Sequence, residues 1–342
     1  MKKLIFALFV ALVSIAFLHS NPTKAAPMNF SVETIMPTNQ IDKTKTYFDL
    51  KMKPNQNQNL KVKLRNNKAM DITVQIKTNP ATTNINGIID YGVTPRKADN
   101  TLKYKFNELM YVPHEVKLKA HETKTISLSL KMPKEKYKGI ILGGIHFQEA
   151  QNKKTAKDDG NVEITNSYAY IVGVSLKETN DRVQPKLQLT SVKAGQVNYK
   201  NAFLANIQNP KAKIMKHLKI EGYVYRANNL KKPLYSRKAE NLRMAPNSNF
   251  DFAIPLNDRN FKKGTYVFKG KATNELGTWY FNKEFKIKGG VEKLNKSSVD
   301  QVKDSTFNWL WVVIIVCLLI ILFLIFLLIR RKKEEDQVNQ NE

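Results

Sequence analysis

Apolar and polar residues alternate with period two along most of the chain between residues 30 and 290. Leu60, Val62 and Leu64 are separated by lysines, and the same spacing recurs at 72–76 and 126–130. A period of two puts successive side chains on opposite faces, so these segments predict half-buried β-strands. Further strands are predicted at 30–35, 47–52, 116–120 and 140–147.

A second series of strand patterns follows a polar, aperiodic segment at 149–161. Its predicted strands are 168–176, 186–192, 202–208, 218–225, 250–254, 265–272 and 279–287. The two series predict an all-β chain of two tandem immunoglobulin-like antiparallel β-sandwich domains, at 27–150 and 160–288. Gly139, Gly143 and Gly144 flank or interrupt a predicted strand, so we expect a bulge or a close approach of another segment there.

Two apolar runs flank the strand region. The first follows Lys2 and Lys3 and ends in small residues, which predicts a secretory signal peptide at 1–25. The second, at 309–329, is uncharged and is followed by four basic residues, which predicts a transmembrane helix with a cytoplasmic tail at 330–342. A polar stalk is expected at 289–308. These features predict a single-pass type I protein of the plasma membrane, with both domains extracellular.

Charge and cysteine content narrow the class of protein. The chain has 56 Lys and Arg against 29 Asp and Glu, a net charge of +27, and most of it falls between the two apolar runs. Such a surface attracts polyanions such as anionic wall polymers, although a solvated lysine-rich surface is an equal alternative. No nucleic-acid-binding module is present, so nucleic acid is not expected as a partner. The only cysteine, Cys317, lies in the second apolar run, so no disulfide is expected in the domains.

Catalytic motifs are weak. The pairs His114-Glu115 and His121-Glu122 lack a recognised metal-ligand spacing, and Ser175 lacks the second glycine of a nucleophile elbow. We therefore expect a non-enzyme with neither metal nor cofactor. The alternatives are a membrane-anchored cell-wall hydrolase or transferase, which a carboxylate pair or bound metal would favour, and a purely structural surface spacer.

Two segments are candidates for binding. Asn84, Asn86, Asp90 and Tyr91 lie in a turn-rich stretch and offer amide hydrogen bonds and an aromatic face to a sugar or peptide. The alternative is a tight hairpin turn with a packed tyrosine. Trp279 begins three consecutive aromatic residues. If they lie on a strand, at least one ring must face away from the core, where it would suit a protein interface. The alternative is that they are buried at a sheet end.

Motifs throughout the chain resemble those of one family. The N-terminal half contains FSVETIMPTNQ, YFDLKMKP, ATTNINGIIDY and GIILGGIHF. The second half contains NSYAYIVGV, NIQNP, MAPNSNFDFAIP and LGTWYFNKEFKI. These stretches resemble the peptidoglycan-binding and host-binding domains of the WxL-interacting protein family, in that order.

The resemblance implies a surface protein of wall-bearing bacteria. Such a protein would attach to peptidoglycan, associate with WxL-domain surface proteins and bind host matrix or serum proteins. None of the three tryptophans is followed two positions later by leucine, so the chain resembles the interacting partner rather than a WxL protein. The resemblance transfers no binding residues to particular positions.

Overall fold

A computed structural model describes residues 28–92, 97–150, 168–298 and, near the C-terminus, 314, 315, 317–321, 323–325 and 327. The expected signal peptide, the segment between the two domains at 151–159 and the cytoplasmic tail lie outside these residues. Chain contacts define two compact units. The first comprises Met1–Lys186, Asn209–Lys216 and Arg243–Asn249, and the second comprises Leu187–Gln208, His217–Leu242 and Phe250–Glu342.

The first unit is built from two large sheets and a small hairpin. Its elements are β1 (Phe30–Ile35), β2 (Phe48–Lys51), β3 (Asn57–Asn66), β4 (Ile72–Pro80), β5 (Thr82–Thr83), β6 (Ile89–Asp90), α1 (Phe106–Leu109), β7 (Met110–Tyr111), β8 (Glu115–Leu118), β9 (Thr123–Lys131), β10 (Ile140–Glu149) and β11 (Ala169–Lys177). The strand orders are β1-β3-β9-β7, β2-β11-β10-β4-β8 and β5-β6.

The core of the first unit lies between its two large sheets. Leu64 and Leu128 from one sheet and Val74 and Phe147 from the other are fully buried in a single apolar cluster, with Phe106 of α1. Each such side chain contributes roughly 1.5–3 kcal/mol on burial. Along each strand the apolar residues point into the core and the polar residues between them point away from it, as the period of two predicts. The expectation of an all-β, sandwich-like first unit is therefore confirmed.

One strand pair departs from the expected antiparallel arrangement. β2 runs parallel to β11, with Phe48 opposite Val174 and Leu50 opposite Leu176. A parallel pair requires a long crossover, and here most of the first unit lies between the two strands. The alternation of side chains along each strand is the same in both arrangements, so the sequence pattern could not distinguish them.

The second unit also consists of two sheets. Its elements are β12 (Gln188–Val197), β13 (Lys200–Asn209), β14 (Met215–Arg226), β15 (Tyr235–Met244), β16 (Ser248–Pro255), β17 (Gly264–Asn274), β18 (Gly277–Ile287) and α2 (Glu292–Ser297). The strand orders are β12-β13-β16 and β15-β14-β17-β18. Phe203 of β13 lies at the centre of its core, where its ring centroid is 5.2–5.7 Å from four others: Tyr235, Phe261, Tyr266 and Phe285.

The expected transmembrane helix at 309–329 is not supported. Within the part of the chain that the structure describes, no helix has the length and apolar character needed to cross a membrane. The described helical residues there lie between 314 and 327. The predicted localisation as a single-pass type I protein, with the plasma membrane as a partner, was therefore wrong.

Candidate functional site

A groove with a volume of about 1150 Å³ lies on the first unit, where residues of β1, β10 and β11 line it. Gly173 of β11 is one of the lining residues, and it is paired with Gly144 of β10, which lies beside the groove rather than in its lining. A Cβ atom on Gly144 would lie 2.6 Å from Cβ of Tyr91, and one on Gly173 would lie 3.7 Å from Cβ of Tyr47. The sheet is therefore flat at this point, because neither glycine has a side chain where the two tyrosines approach it.

The two tyrosines give the groove an aromatic surface. Tyr91 is half-buried, and the exposed fraction of Tyr47 is 38%. Burial raises the pKa of the Tyr91 hydroxyl, while the nearby Arg243 cation acts in the opposite direction. The hydroxyl is therefore protonated at neutral pH and able to donate a hydrogen bond.

A buried carboxylate oxygen lies at the β2 side of the groove. Asp49 is opposite Ser175 in the parallel pair of β2 and β11, and both residues line the groove. Oδ1 of Asp49 is buried and accepts no hydrogen bond from the described residues. Nζ of Lys177 is 3.8 Å away, a distance that permits charge attraction but is too long for a hydrogen bond. This oxygen has capacity for a donor from a ligand or a water.

Charged side chains around the groove are mainly basic. The basic lining residues are Lys45, Lys177, Lys213, Lys216 and Arg243. The acidic ones are Glu33, Asp49 and Asp90. Arginine and lysine bind carboxylates by charge-assisted hydrogen bonds, so this rim suits a ligand that combines neutral polar groups with some negative charge.

The predicted residues Asn84 and Asn86 have structural positions in the β5–β6 hairpin. Oδ1 of Asn84 accepts hydrogen bonds from the backbone N–H groups of Asn86, at 3.0 Å, and Ile88, at 3.2 Å. Gly87 has φ of 70°, a conformation that favours glycine. The side chain of Asn86 is exposed at the tip of the turn. The tight turn that the sequence allowed as an alternative is therefore present, and neither asparagine lines the groove.

Asp90 and Tyr91, the other two predicted residues of this segment, do line the groove. Oδ1 of Asp90 accepts a hydrogen bond from the backbone N–H of Gly92 at 2.8 Å, which fixes the chain where it enters the groove. Asn79 donates a longer bond of 3.4 Å to the carbonyl oxygen of Tyr91. The hairpin thus positions Tyr91 over the paired glycines, and of the four predicted residues this ring has the clearest access to a ligand.

Trp279 lies on β18 in the second unit and is partly exposed. Of the three consecutive aromatic residues, Phe281 is buried, whereas the exposed fraction of Tyr280 is 77%. Nζ of Lys271 on β17 lies 5.8 Å from the centroid of the Tyr280 ring. The ring that faces solvent most fully is therefore that of Tyr280 rather than that of Trp279.

Sequence reasoning missed Tyr47, Asp49 and Arg243 as groove residues. The glycines around the strand at 140–147 supplied a signal, because Gly139, Gly143 and Gly144 predicted a bulge or a close approach, and Tyr91 makes such an approach at Gly144. Arg243 is distant in sequence from the other lining residues, and no local pattern identifies it. Among the described residues, no cluster of three or more His, Cys, Asp or Glu side chains has the geometry of a metal site.

Comparisons with known proteins place these features in a family. A family model described as "WxL Interacting Protein, peptidoglycan binding domain" matches residues 30–149, and one described as "WxL Interacting Protein, host binding domain" matches residues 159–296. No curated protein matches the chain.

Solved structures similar to the chain include fimbrial chaperones. The class 5 fimbriae chaperone CfaA has 15% identity and a TM-score of 0.30, and the alignment covers 75% of this chain and 98% of that one. The CsuC-CsuE chaperone-tip adhesion subunit complex of Acinetobacter baumannii has 15% identity, the same two coverages and a TM-score of 0.31. Neither score is high enough to carry an argument about this chain. The two family models together span most of the described residues in the expected order, and the chain belongs to the WxL-interacting protein family.

Proposed function

We propose that this chain is a non-enzymatic protein of the bacterial cell surface that binds peptidoglycan through the groove of its first unit. The observation that carries the proposal is the pair of tyrosines, Tyr47 and Tyr91, which line the groove and pack against the paired glycines Gly173 and Gly144. Concave sites lined by aromatic side chains, with a few convergent polar groups, are typical of ligand binding. The matched domain description supports the same ligand class.

The groove offers a separate contact for each part of a peptidoglycan strand. The tyrosine rings would pack against the apolar face of a sugar, and the Tyr91 hydroxyl would bond to a sugar or amide oxygen. The buried Oδ1 of Asp49 would accept a hydrogen bond from a hydroxyl or amide N–H, directly or through one water. Arg243 and the lysines of the rim would attract carboxylates of the peptide stems.

The proposal for the second unit is a protein-binding role. The matched description of this half supports binding of host matrix or serum proteins. The family description also supports association with WxL-domain proteins, which it assigns to neither unit. Tyr280 and Lys271 form an exposed aromatic and basic pair on the β17–β18 face. Tyrosine is enriched at protein interfaces because it combines a large apolar ring with a hydrogen-bonding group. A panel of purified matrix and serum proteins, tested against wild type and Tyr280→Ala, would examine this role.

Peptidoglycan binding can be tested by sedimentation of the full chain with purified wall from which anionic polymers have been removed. We expect binding that persists in part at about 0.5 M salt, where the Debye length is only about 4 Å. Tyr91→Ala should weaken this salt-resistant binding, because the variant removes the ring over the paired glycines. Tyr111→Ala is the matched control, since Tyr111 is 62% exposed on β7 and does not line the groove.

Two results would contradict the proposed site. Complete loss of binding at about 0.5 M salt would show that charge attraction alone accounts for the binding to the wall. Equal binding by Tyr91→Ala and wild type, with both proteins folded by circular dichroism, would exclude the groove while leaving peptidoglycan binding elsewhere on the chain.

A further inference from the structure

Strand β11 is paired along its full length on one side only. On that side Ile140–Gln148 of β10 lie opposite Ala169–Lys177. On the other side β2 pairs with Val174–Lys177 alone. Among the residues that the structure describes, no strand lies beside residues 169–173, which we call the open edge.

Backbone groups at the open edge alternate in direction. The carbonyl oxygen of Lys177 accepts a hydrogen bond from the backbone N–H of Met52, at 2.8 Å, on the β2 side. N–H and C=O of one strand residue point to the same side, and neighbouring residues point to opposite sides. The other odd-numbered residues of β11 therefore direct their backbone groups to the β2 side. Along the open edge these are the N–H and C=O groups of Ala169 and Ile171 and the N–H of Gly173, since the Gly173 carbonyl accepts from Phe48 at the end of the β2 ladder.

The sequence of the open edge lacks the usual features that prevent a strand from pairing. Residues 168–176 contain neither a charged residue nor a proline. Exposed edges are usually protected by lysines, prolines, bulges or a covering segment, because unpaired N–H and C=O groups accept another strand. Here Ile171 and Tyr168 are 45% and 39% exposed, so apolar side chains accompany the unpaired backbone.

Residues of the neighbouring sheet border the same groove beside the open edge. β1 is the edge strand of the other sheet and pairs only with β3 among the described strands. Val32 and Met36, in and just after β1, line the same groove as Tyr170 and Val172 of β11. The space beside the open edge is therefore bordered by apolar side chains from both sheets, while most charged residues at the rim are basic.

We propose that the open edge binds a β-strand of a WxL-domain partner, which extends the five-stranded sheet beside residues 169–173. The inference rests on the proposed association with WxL-domain proteins and adds the place and mode of contact. A strand of about five residues fits the open length, a common strand length. Alternating apolar residues would face the groove, and acidic residues would complement the basic rim. The strand and peptidoglycan would therefore compete, because the same groove is proposed for both. This mode derives affinity from main-chain hydrogen bonds.

The test is hydrogen-deuterium exchange of the full chain with and without a purified WxL-domain protein. We expect amides of Ala169, Ile171 and Gly173 to exchange at least tenfold more slowly in the complex. Ile171→Pro removes the central N–H and should weaken binding about tenfold or more, since a net hydrogen bond contributes about 1 kcal/mol and the proline ring also obstructs pairing. Ile171→Thr keeps the N–H and is the matched control, with a change below about threefold.

The outcomes separate this inference from the proposed association. Binding without added protection at the open edge, or equal binding by Ile171→Pro and Ile171→Thr, would overturn the inference and keep the association. Absence of binding would overturn both. Slow exchange at the open edge in the isolated chain would show that another segment of this chain covers it. If that protection rises with protein concentration, a second copy of the chain covers it instead. Either result would also overturn the inference. If Ile171→Pro does not fold, Ala169→Pro tests the same edge. The exchange measurement on the wild-type chain tests the inference without any variant.

Discussion

Gly144 lies directly opposite Gly173 across β10 and β11, but the two glycines have different amounts of space above them. A Cβ on Gly144 would come within 2.6 Å of Cβ of Tyr91, whereas one on Gly173 would have no atom nearer than 3.7 Å. The first distance requires the backbone near Tyr91 to move, and the second is an ordinary contact. The tyrosine therefore depends on one glycine of the pair more than on the other.

The first prediction compares alanine at these two positions. Gly144→Ala should lower the free energy of unfolding by about 1–3 kcal/mol, as overpacking does, and should weaken binding to purified wall by displacing Tyr91. Gly173→Ala should change the free energy of unfolding little, because its Cβ would make only ordinary contacts. Urea denaturation and wall sedimentation measure the two effects. Similar losses in both variants would show that the close approach at Gly144 does not control the groove.

A second prediction concerns the hairpin that carries Asp90 and Tyr91. Asn84→Ala should lower the free energy of unfolding by about 1–2 kcal/mol, because two backbone N–H groups lose their acceptor. Asn86→Ala should have almost no effect, because that side chain is exposed at the turn. Thermal denaturation of both variants provides the measurement, and a larger loss in Asn86→Ala would contradict the assigned roles.

The third prediction is a pH dependence at His146. Burial lowers the pKa of this imidazole, and Lys77, opposite it on β4, lowers it further. The unfolded state therefore binds the proton more tightly than the folded state near pH 6. The contribution to stability is present above the ordinary pKa of about 6.5 and is lost as the pH falls through the folded value.

His146→Gln should therefore reduce the fall in melting temperature between pH 7.5 and pH 5. The exposed His114 provides the control, as His114→Gln should leave that fall unchanged. If the melting temperature of His146→Gln falls as much as that of the wild type, groups other than His146 cause the acid sensitivity.

A fourth prediction concerns the core of the second unit. Phe203 contacts four other rings and is 1% exposed, so Phe203→Ala should cost about 3–5 kcal/mol of unfolding free energy. Tyr199→Ala, on the turn that precedes β13, should cost far less because Tyr199 is 70% exposed. Denaturation followed by circular dichroism would distinguish these values, and comparable stability of the two variants would contradict the central position of Phe203.

Local alternation predicted most strand positions but not strand partners. The predicted strand at 30–35 coincides with β1, and the one at 168–176 differs from β11 by one residue at each end. The same alternation could not show that β11 lies between β2 and β10, because pairing depends on contacts between distant parts of the chain. The groove follows from such pairing. Asp90 and Tyr91 were found from local turn chemistry, whereas Arg243 reaches the groove only through the fold.

The first unit is made of segments that are far apart in sequence, and this determines the order in which it can fold. Residues 209–216 and 243–249 belong to this unit, and β11 separates β2 from β10. A chain that has emerged only as far as residue 150 lacks all three pieces, so β2 has no strand to pair with and an edge of β10 is bare. Sequence-distant contacts of this kind slow folding, because long loops must close first. During synthesis the first unit can therefore be completed only after nearly 100 further residues have emerged. A protease that acts before then would encounter an incomplete unit.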